Sequence, residues 1–419
     1  MSTNGPEITL KVSAEQYAAR DWISGFLLLG ILLGLIGSLL VAWQYHIDAD
    51  PKLIGLHFLA LSAGYVIAAA AAQKLLPKFP IRTIALAGCA LGMVSVAGLS
   101  LLAPPVAAIW RLAGLGFLGA SGGLLATSLL YALEPYFSQA PAAMANRAGA
   151  LFGCGCLIST VIVGATYFAG SVQIETAVLA LAPLLFLVVF AVNKFAAARQ
   201  PVRIKEEERR VREMLRELRS IAALLFSLLL FFQFGNEWAI AGWLPLFLIH
   251  RLGANPVWAI FALAAYFLAL IIGRLAVQPL LRRVPHRKLL LCSTFGAMAG
   301  YLLLSLTSWM IGAWIAVTII GASFAPIYPL IAETLDDRFS YHPGFYNGLF
   351  SVAITGAMLA PWLLGYVDDY LGMRYVMLVP AFGSIAVLLL ALLIMLEAHL
   401  MSAKSVNAME RQPVLAGKD

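Results

Sequence analysis

Residues 73–82 read QKLLPKFPIR, and residues 278–287 read QPLLRRVPHR. At a constant offset of 205 residues, Gln73, Leu75, Leu76, Pro80 and Arg82 recur as Gln278, Leu280, Leu281, Pro285 and Arg287, and Lys78 faces Arg283. The same offset sets Asp50-Pro51 against Asn255-Pro256. A second pair lies at an offset of 202, GASGGLLATSLLYALEPYF from Gly119 and GASFAPIYPLIAETLDDRF from Gly321, with Leu133/Leu335 and Phe137/Phe339 coincident. Two apolar helices can look alike by chance, but chance does not also align the polar segments between them. The chain therefore reads as a duplicated unit.

The apolar stretches on either side of these segments set the class. Of 419 residues, 62% are hydrophobic and 12% charged, against about 45–50% and about 25% in soluble globular domains. Mean hydropathy is +0.89. A bilayer span needs roughly 20 mostly apolar residues. Twelve segments qualify, near Trp22–Trp43, Lys52–Lys74, Arg82–Leu102, Pro105–Tyr131, Asn146–Phe168, Ile174–Phe195, Ser220–His250, Val257–Leu280, Lys288–Leu306, Trp309–Glu333, Gly344–Tyr366 and Arg374–Leu396. The expectation is an all-α membrane protein of two six-helix halves, 22–195 and 220–396. A polar tail, 1–21, precedes them, and a polar tail, 397–419, expected to be disordered, follows. The first 21 residues lack the charged-then-apolar pattern of a signal peptide.

Between the sixth and seventh spans, residues 196–219 form the only long charged segment. Ile204, Val211, Leu215 and Leu218 recur there at helical spacing, and Glu206/Arg210 and Glu208/Arg212 are i,i+4 pairs. A basic surface helix joining the halves is expected. Lys and Arg also fix the expected orientation. Lys74, Lys78, Arg82, Arg147, Arg282, Arg283, Arg287, Lys288, Arg338 and the linker share one side, while Lys52, Arg251 and Arg374 lie on the other. Both termini are then cytoplasmic. The formal charge of +7 is a topology signal and calls for no nucleic-acid partner. Cys89, Cys154, Cys156 and Cys292 sit in apolar runs without CxxC or zinc spacing, so neither a disulfide framework nor a metal site is indicated. No hydrolase set, HExxH or phosphate loop stands in a persuasive position, so neither an enzyme nor a cofactor is expected.

Twelve spans, a duplicated six and a long basic central loop resemble the major facilitator superfamily of secondary transporters, from about Trp22 to Leu396. That family's loop signature, Gly-x-Leu-x-Asp-Arg-x-Gly-Arg-Arg, is matched here by Leu280, Arg283, Arg287 and Lys288. Gln278, Arg282 and Pro285 replace its first Gly, its Asp and its second Gly, and Pro77 stands at the Asp position of the first half. Within the superfamily, GNEWAIAGWLPLFL, GASFAPIYPL and GAMLAPWLLGYVDDYLGMR look like the fucose-permease type of sugar–proton symporter. The acidic residue that some members carry in span four has no match in GFLGASGGLLATSLL. The resemblance implies a bacterial inner-membrane protein that binds a small solute and a proton. It is expected to act as a monomer in the bilayer, and sodium stays open as coupling ion.

Charge inside a bilayer helix costs about 2.5–3.5 kcal/mol on insertion scales, so each such residue needs a reason. Glu237 stands 17 residues from Ser220 and 13 from His250, roughly 25 and 20 Å at about 1.5 Å per residue. That is midplane depth, where transporters of this kind bind their solutes. A carboxyl there can carry a proton or accept hydrogen bonds from a solute. Gln233 and Asn236 fall on its helix face by i, i+3, i+4 spacing. Trp238 and Trp243 offer flat surfaces for a ring. Arg111, beside a Gly-rich stretch, is expected to tune a carboxylate or hold an anion, since Arg stays protonated. Arg274 lies near the cytoplasmic end of span eight and is expected to be structural or gating. His57 is a candidate switch or a structural group. Pro326 and Pro329 remove backbone donors from span ten, which brings Tyr328 forward as a solute contact. Gln278, Arg283 and Arg287 are expected to serve gating or topology, and Glu333 and Asp336 read as charges at the mouth. The leading reading is proton-coupled symport of a small polar solute such as a sugar. A proton antiporter exporting drugs or metabolites and a receptor or scaffold without transport are the alternatives.

Overall fold

The computed structural model describes residues 5–47, 50–167, 172–192, 221–281, 283–336 and 343–410. Every regular element among them is helical. Eleven helices are long and apolar enough to cross a bilayer, and a shorter apolar one, Thr176–Val192, stands where the sixth span is expected. Only helices and closed barrels keep all backbone groups paired inside hydrocarbon, so the apolar composition and the helical fold go together.

Span one is two helices, Gly5–Gly34 and Ile36–Ala42. Spans two to six are Pro51–Leu75, Ile81–Leu101, Ala108–Ala132, Pro141–Thr166 and Val172–Val192, with a short helix, Glu134–Gln139, between four and five. Spans seven to nine are Ile221–Leu252, Pro256–Leu281 and His286–Leu306. Span ten breaks into Met310–Phe324 and Ile327–Asp336, and spans eleven and twelve are Pro343–Leu371 and Leu378–Glu410. The break falls at Ala325-Pro326, where the missing proline N–H predicts it. The second polar tail departs from expectation. The first helix begins at Gly5 and the last runs to Glu410, so the second tail is helical up to that residue. A span supplies the costly helical nucleus, and Ala, Leu, Glu and Lys then extend it cheaply. The linker 196–219 and Arg282 lie outside the described residues, as do the side chains of Gln278, Glu333 and Asp336.

The repeated polar segments turn out to be helix-start signals. Asp50 Oδ1 accepts from Lys52 N at 2.9 Å, and Asn255 Oδ1 accepts from Val257 N at 3.0 Å. Each cap precedes a proline at the first helical position, which has no N–H to leave unpaired. Pro80 and Pro285 cap spans three and nine with nearly the same backbone, φ −57° in both and ψ 142° and 137°. Just before the second cap, Gly253 takes φ 63°. Its N–H reaches Ile249 O, and Ala254 N reaches Leu248 O, the crossed pair that ends a helix on a left-handed glycine.

Packing repeats along with sequence. Span one lies against five, two against four, and three against four and six. Seven lies against eleven, eight against ten, and nine against ten and twelve. The halves meet most extensively through two contacts that exchange under the same repeat, span two on eleven and span five on eight. Glycine sets how close the backbones come. A Cβ at Gly64, Gly119 or Gly123 would collide with a backbone carbonyl on the facing span, while Gly98 faces open space. Small residues are how helices approach in a bilayer, where apolar burial gives no preference for a neighbour over lipid.

One end of the bundle carries the start of span one, the end of span six and the start of span seven, and is called here the linker face. At the opposite end, the loop face, the halves are packed shut. A Cβ on Gly37 would strike Ala241 O, and one on Gly242 would strike the Phe58 ring. Gly55 abuts Trp362, and Gly365 abuts Pro51. Lys52 Nζ pairs with Asp369 Oδ2 at 2.7 Å and lies 5.0 Å from the centre of the Tyr370 ring, tying span two to span eleven.

Two outcomes follow from this packing. Gly119→Leu should lower the stability of the detergent-solubilised protein by about 1–3 kcal/mol or more, read as a fall in melting temperature, whereas Gly98→Leu should leave it unchanged. Lys52→Glu sets like charges against each other at the loop face and should favour opening there. A cysteine placed at Ala145, on the linker side, should then be alkylated about two- to threefold more slowly in a background free of native cysteines. The charge swap Lys52→Glu/Asp369→Lys should restore the original rate.

Candidate functional site

A cleft with about 820 Å³ of empty volume lies between the halves, lined from the linker side up to the middle of the bundle. The first half contributes Phe26, Leu29 and Leu33 of span one, Tyr65 of span two, Ala126 and Leu130 of span four, and Ala145, Ala148, Gly149 and Phe152 of span five. Apart from the Tyr65 hydroxyl this wall is apolar. The second half contributes Phe234, Glu237 and Trp238 of span seven, Arg274 of span eight, Tyr328 of span ten and Ile354 of span eleven. Glu237 and Arg274 are its two charged side chains. The phenol of Tyr328 stands edge-on to Phe234, with ring centres 6.2 Å apart.

Glu237 is anchored one turn back on its own helix, where Gln233 Nε2 donates to its Oε1 at 2.8 Å. Gln233 is fully buried, and its own Oε1 has no partner among the described residues. Arg274 is 5% exposed. A Cβ at Gly149 would run into Arg274 Nη1, so the guanidinium occupies the space that span five leaves by having no side chain there. Asn146 Nδ2 donates to the Arg274 carbonyl at 3.0 Å and joins spans five and eight at the same level. Arg274 Nε and Nη1 are buried without a hydrogen-bond partner among the described residues.

Of the residues singled out from sequence, the cleft gathers Glu237, Trp238, Tyr328 and Arg274. Gln233 supports Glu237 from behind. Asn236 points elsewhere, although its spacing assigned it to the same face. Its Nδ2 reaches Ser384 Oγ at 3.4 Å, and its carbonyl accepts from the Tyr301 hydroxyl at 2.7 Å, so it faces spans nine and twelve. Trp243 is fully buried and donates from Nε1 to Pro361 O at 2.9 Å, joining span seven to span eleven. Arg283 and Arg287 are exposed near the linker face.

Arg111 is set apart from Glu237 and belongs to a cluster near the loop face. Its Nε donates to the Tyr45 hydroxyl at 3.0 Å, and its Nη1 donates to Leu102 O and Val106 O. Its guanidinium carbon stands 5.9 and 5.5 Å from the Trp43 and Tyr45 ring centres. The Tyr45 hydroxyl donates to His57 Nε2 at 3.1 Å, and His57 Nδ1–H donates to Leu53 O. Burial pushes the Tyr45 phenol above its ordinary range, against the opposing pull of Arg111, which keeps the hydroxyl a donor. Both Arg111 and His57 are thus held by structural partners. Sequence reading passed over Tyr65, Phe152 and Phe234, whose apolar contexts resemble those of packing residues. Among the described residues no group of three or more His, Cys, Asp and Glu is placed to hold a metal.

Comparison with known proteins agrees with this arrangement. No curated protein matches in sequence. Among solved structures, the major facilitator transporter FucP in the outward conformation aligns with a TM-score of 0.65 at 20% identity, covering 90% of this chain and 98% of that one. A variant of the E. coli fucose:proton symporter FucP gives 0.64 at 18% identity over 90% and 98%. A D-xylose–proton symporter gives 0.70 at 13% identity over 89% and 96%. At such identities the likeness speaks for the fold. The family itself is given by the sequence, since the model of the Major Facilitator Superfamily matches residues 22–355. A duplicated helical bundle with a cleft between its halves is therefore what it looks like, and the chain belongs to the Major Facilitator Superfamily.

Proposed function

We propose that this chain is a secondary active transporter that moves a small organic solute together with a proton, by alternating access of the central cleft. The observation that carries the reading is Glu237, a carboxylate at the middle of span seven that lines the cleft and is hydrogen-bonded to Gln233. Such a group can hold a proton on one side of the membrane and release it on the other. The two halves meet on spans two and eleven and on spans five and eight, and rocking on these contacts would close the linker side as the loop side opens. With the basic loops cytoplasmic, the present arrangement is open to the cytoplasm. The proteins similar in fold are named as fucose and xylose symporters with protons, which supports symport and a sugar-sized solute.

Export of an amphipathic compound in exchange for protons is the second reading. The apolar wall of the first half favours it. The two differ in whether solute accumulates or is depleted inside proteoliposomes with an imposed inward proton gradient.

Glu237→Gln keeps the hydrogen-bonding shape but cannot carry a proton. Gradient-driven accumulation should fall to background, about a hundredfold, while solute counterflow without a gradient persists. Accumulation by this variant at the wild-type rate, measured with radiolabelled solute, would remove Glu237 from coupling.

A further inference from the structure

We infer that the cleft takes an amphipathic organic anion, a carboxylate or similar acid group on an apolar or aromatic body, with Arg274 as the group that receives the charge. This rests on the reading of the cleft as the transport site and narrows its solute.

One fold treats its two buried arginines differently. Arg111, 6% exposed, has its donors directed at the Tyr45 hydroxyl and two backbone carbonyls, with Trp43 and Tyr45 rings beside it. Arg274 is buried as deeply, at 5% exposed, yet its Nε and Nη1 have no partner among the described residues. Buried charged donors without hydrogen-bond partners are costly, so their retention calls for something that pairs with them. Glu237 is close enough to feel the charge of Arg274, but among the described residues no salt bridge joins the two, and Glu237 Oε1 is engaged by Gln233 Nε2. The guanidinium packs against Gly149 of span five, which restrains it before any ligand arrives. A planar fork of donors held this way matches the two oxygens of a carboxylate.

The rest of the cleft sets the body of the ligand. Phe26, Leu29 and Phe152 face it from the first half, and Phe234 and Trp238 from the second. A neutral sugar presents hydroxyls around its whole rim. This lining meets it with hydroxyls from Tyr65 and Tyr328 and little else outside the charged pair. An acid with one polar end and one apolar end leaves fewer groups unsatisfied.

The test uses the purified full chain and isothermal titration with benzoate and phenylacetate, their neutral analogues benzamide and phenylacetamide, and L-fucose and D-glucose. The carboxylates should bind about tenfold or more tightly than their amides and than either sugar. Arg274→Gln should abolish carboxylate binding, and Arg274→Lys, which keeps the charge without the fork, should weaken it severalfold while remaining folded by size exclusion. Four results would each overturn the inference. They are no carboxylate binding, an amide or sugar binding as well as the acid, an unchanged carboxylate affinity in Arg274→Lys, and a loss of thermal stability in Arg274→Gln with benzoate binding intact. The last would make Arg274 a structural group. Counterflow separates this inference from the proposal above. Benzoate that binds but never crosses refutes transport and leaves the anion site standing. A sugar that crosses independently of Arg274 does the reverse.

Discussion

A polar group inside hydrocarbon must find its partner within the protein, and that requirement sorts the polar residues of this chain. Most are spent on packing. Ser95, Ser128 and Thr160 fold back onto carbonyls of the preceding turn, while Ser121 reaches from span four to Gly88 O on span three. Asn236 and Trp243 fasten span seven to spans twelve and eleven. Arg111, Tyr45 and His57 close a chain of hydrogen bonds that ends on Leu53 O. Among the described residues, Trp43 Nε1, His46 Nδ1 and Arg251 Nε stay unpaired toward the loop face, while Arg274 Nε and Nη1, Gln233 Oε1 and Asn146 Oδ1 stay unpaired around the cleft that Glu237 lines. The second group is the polar capacity that the proposed site would offer a ligand.

The duplication gives the proposed alternating access a structural basis. Because spans two and eleven and spans five and eight are exchanged by the repeat, the two inter-half contacts are alternatives of the same kind. In the present arrangement spans two and eleven are drawn together at the loop face by Gly55, Gly365 and the Lys52–Asp369 pair. Spans five and eight meet lower down, through Gly149 and Arg274 and through Asn146. The contact nearest the cleft thus runs through the guanidinium, so whatever pairs with Arg274 acts directly on the seam between the halves. Binding that differs between two arrangements is what shifts their balance.

Fold and topology were legible because they rest on composition and on short local signals. The repeated Asp50-Pro51 and Asn255-Pro256 are N-caps, and Pro80 and Pro285 cap the following helices with the same backbone. These depend only on neighbouring residues. Depth along a helix was legible too, which is why Glu237 could be placed by counting. Direction around a helix was not. Residues 236 and 237 are 100° apart, and in a packed bundle that is enough to face different neighbours. Gln233 and Glu237 share a face, whereas Asn236 turns to Ser384. The surroundings of Arg274 were illegible for a related reason. It packs on the facing glycine of span five, 125 residues earlier in the chain, and nothing local announces that contact.

The two copies have divided the work. Carried back through the offset of 205, Gln233, Glu237 and Arg274 correspond to Leu28, Leu32 and Ala69, all fully buried. Through the offset of 202, Tyr328 corresponds to Ala126, on the apolar wall of the cleft. Where the second half carries charge and hydroxyl, the first carries hydrocarbon. This asymmetry suits a rocking pair. If both halves held charges across the cleft, opening and closing it would make and break ion pairs at low dielectric, and those energies would dominate the motion. With the charges on one half, the other can slide past them as an apolar surface, and in the proposed cycle the energy of switching is left to the proton and the ligand.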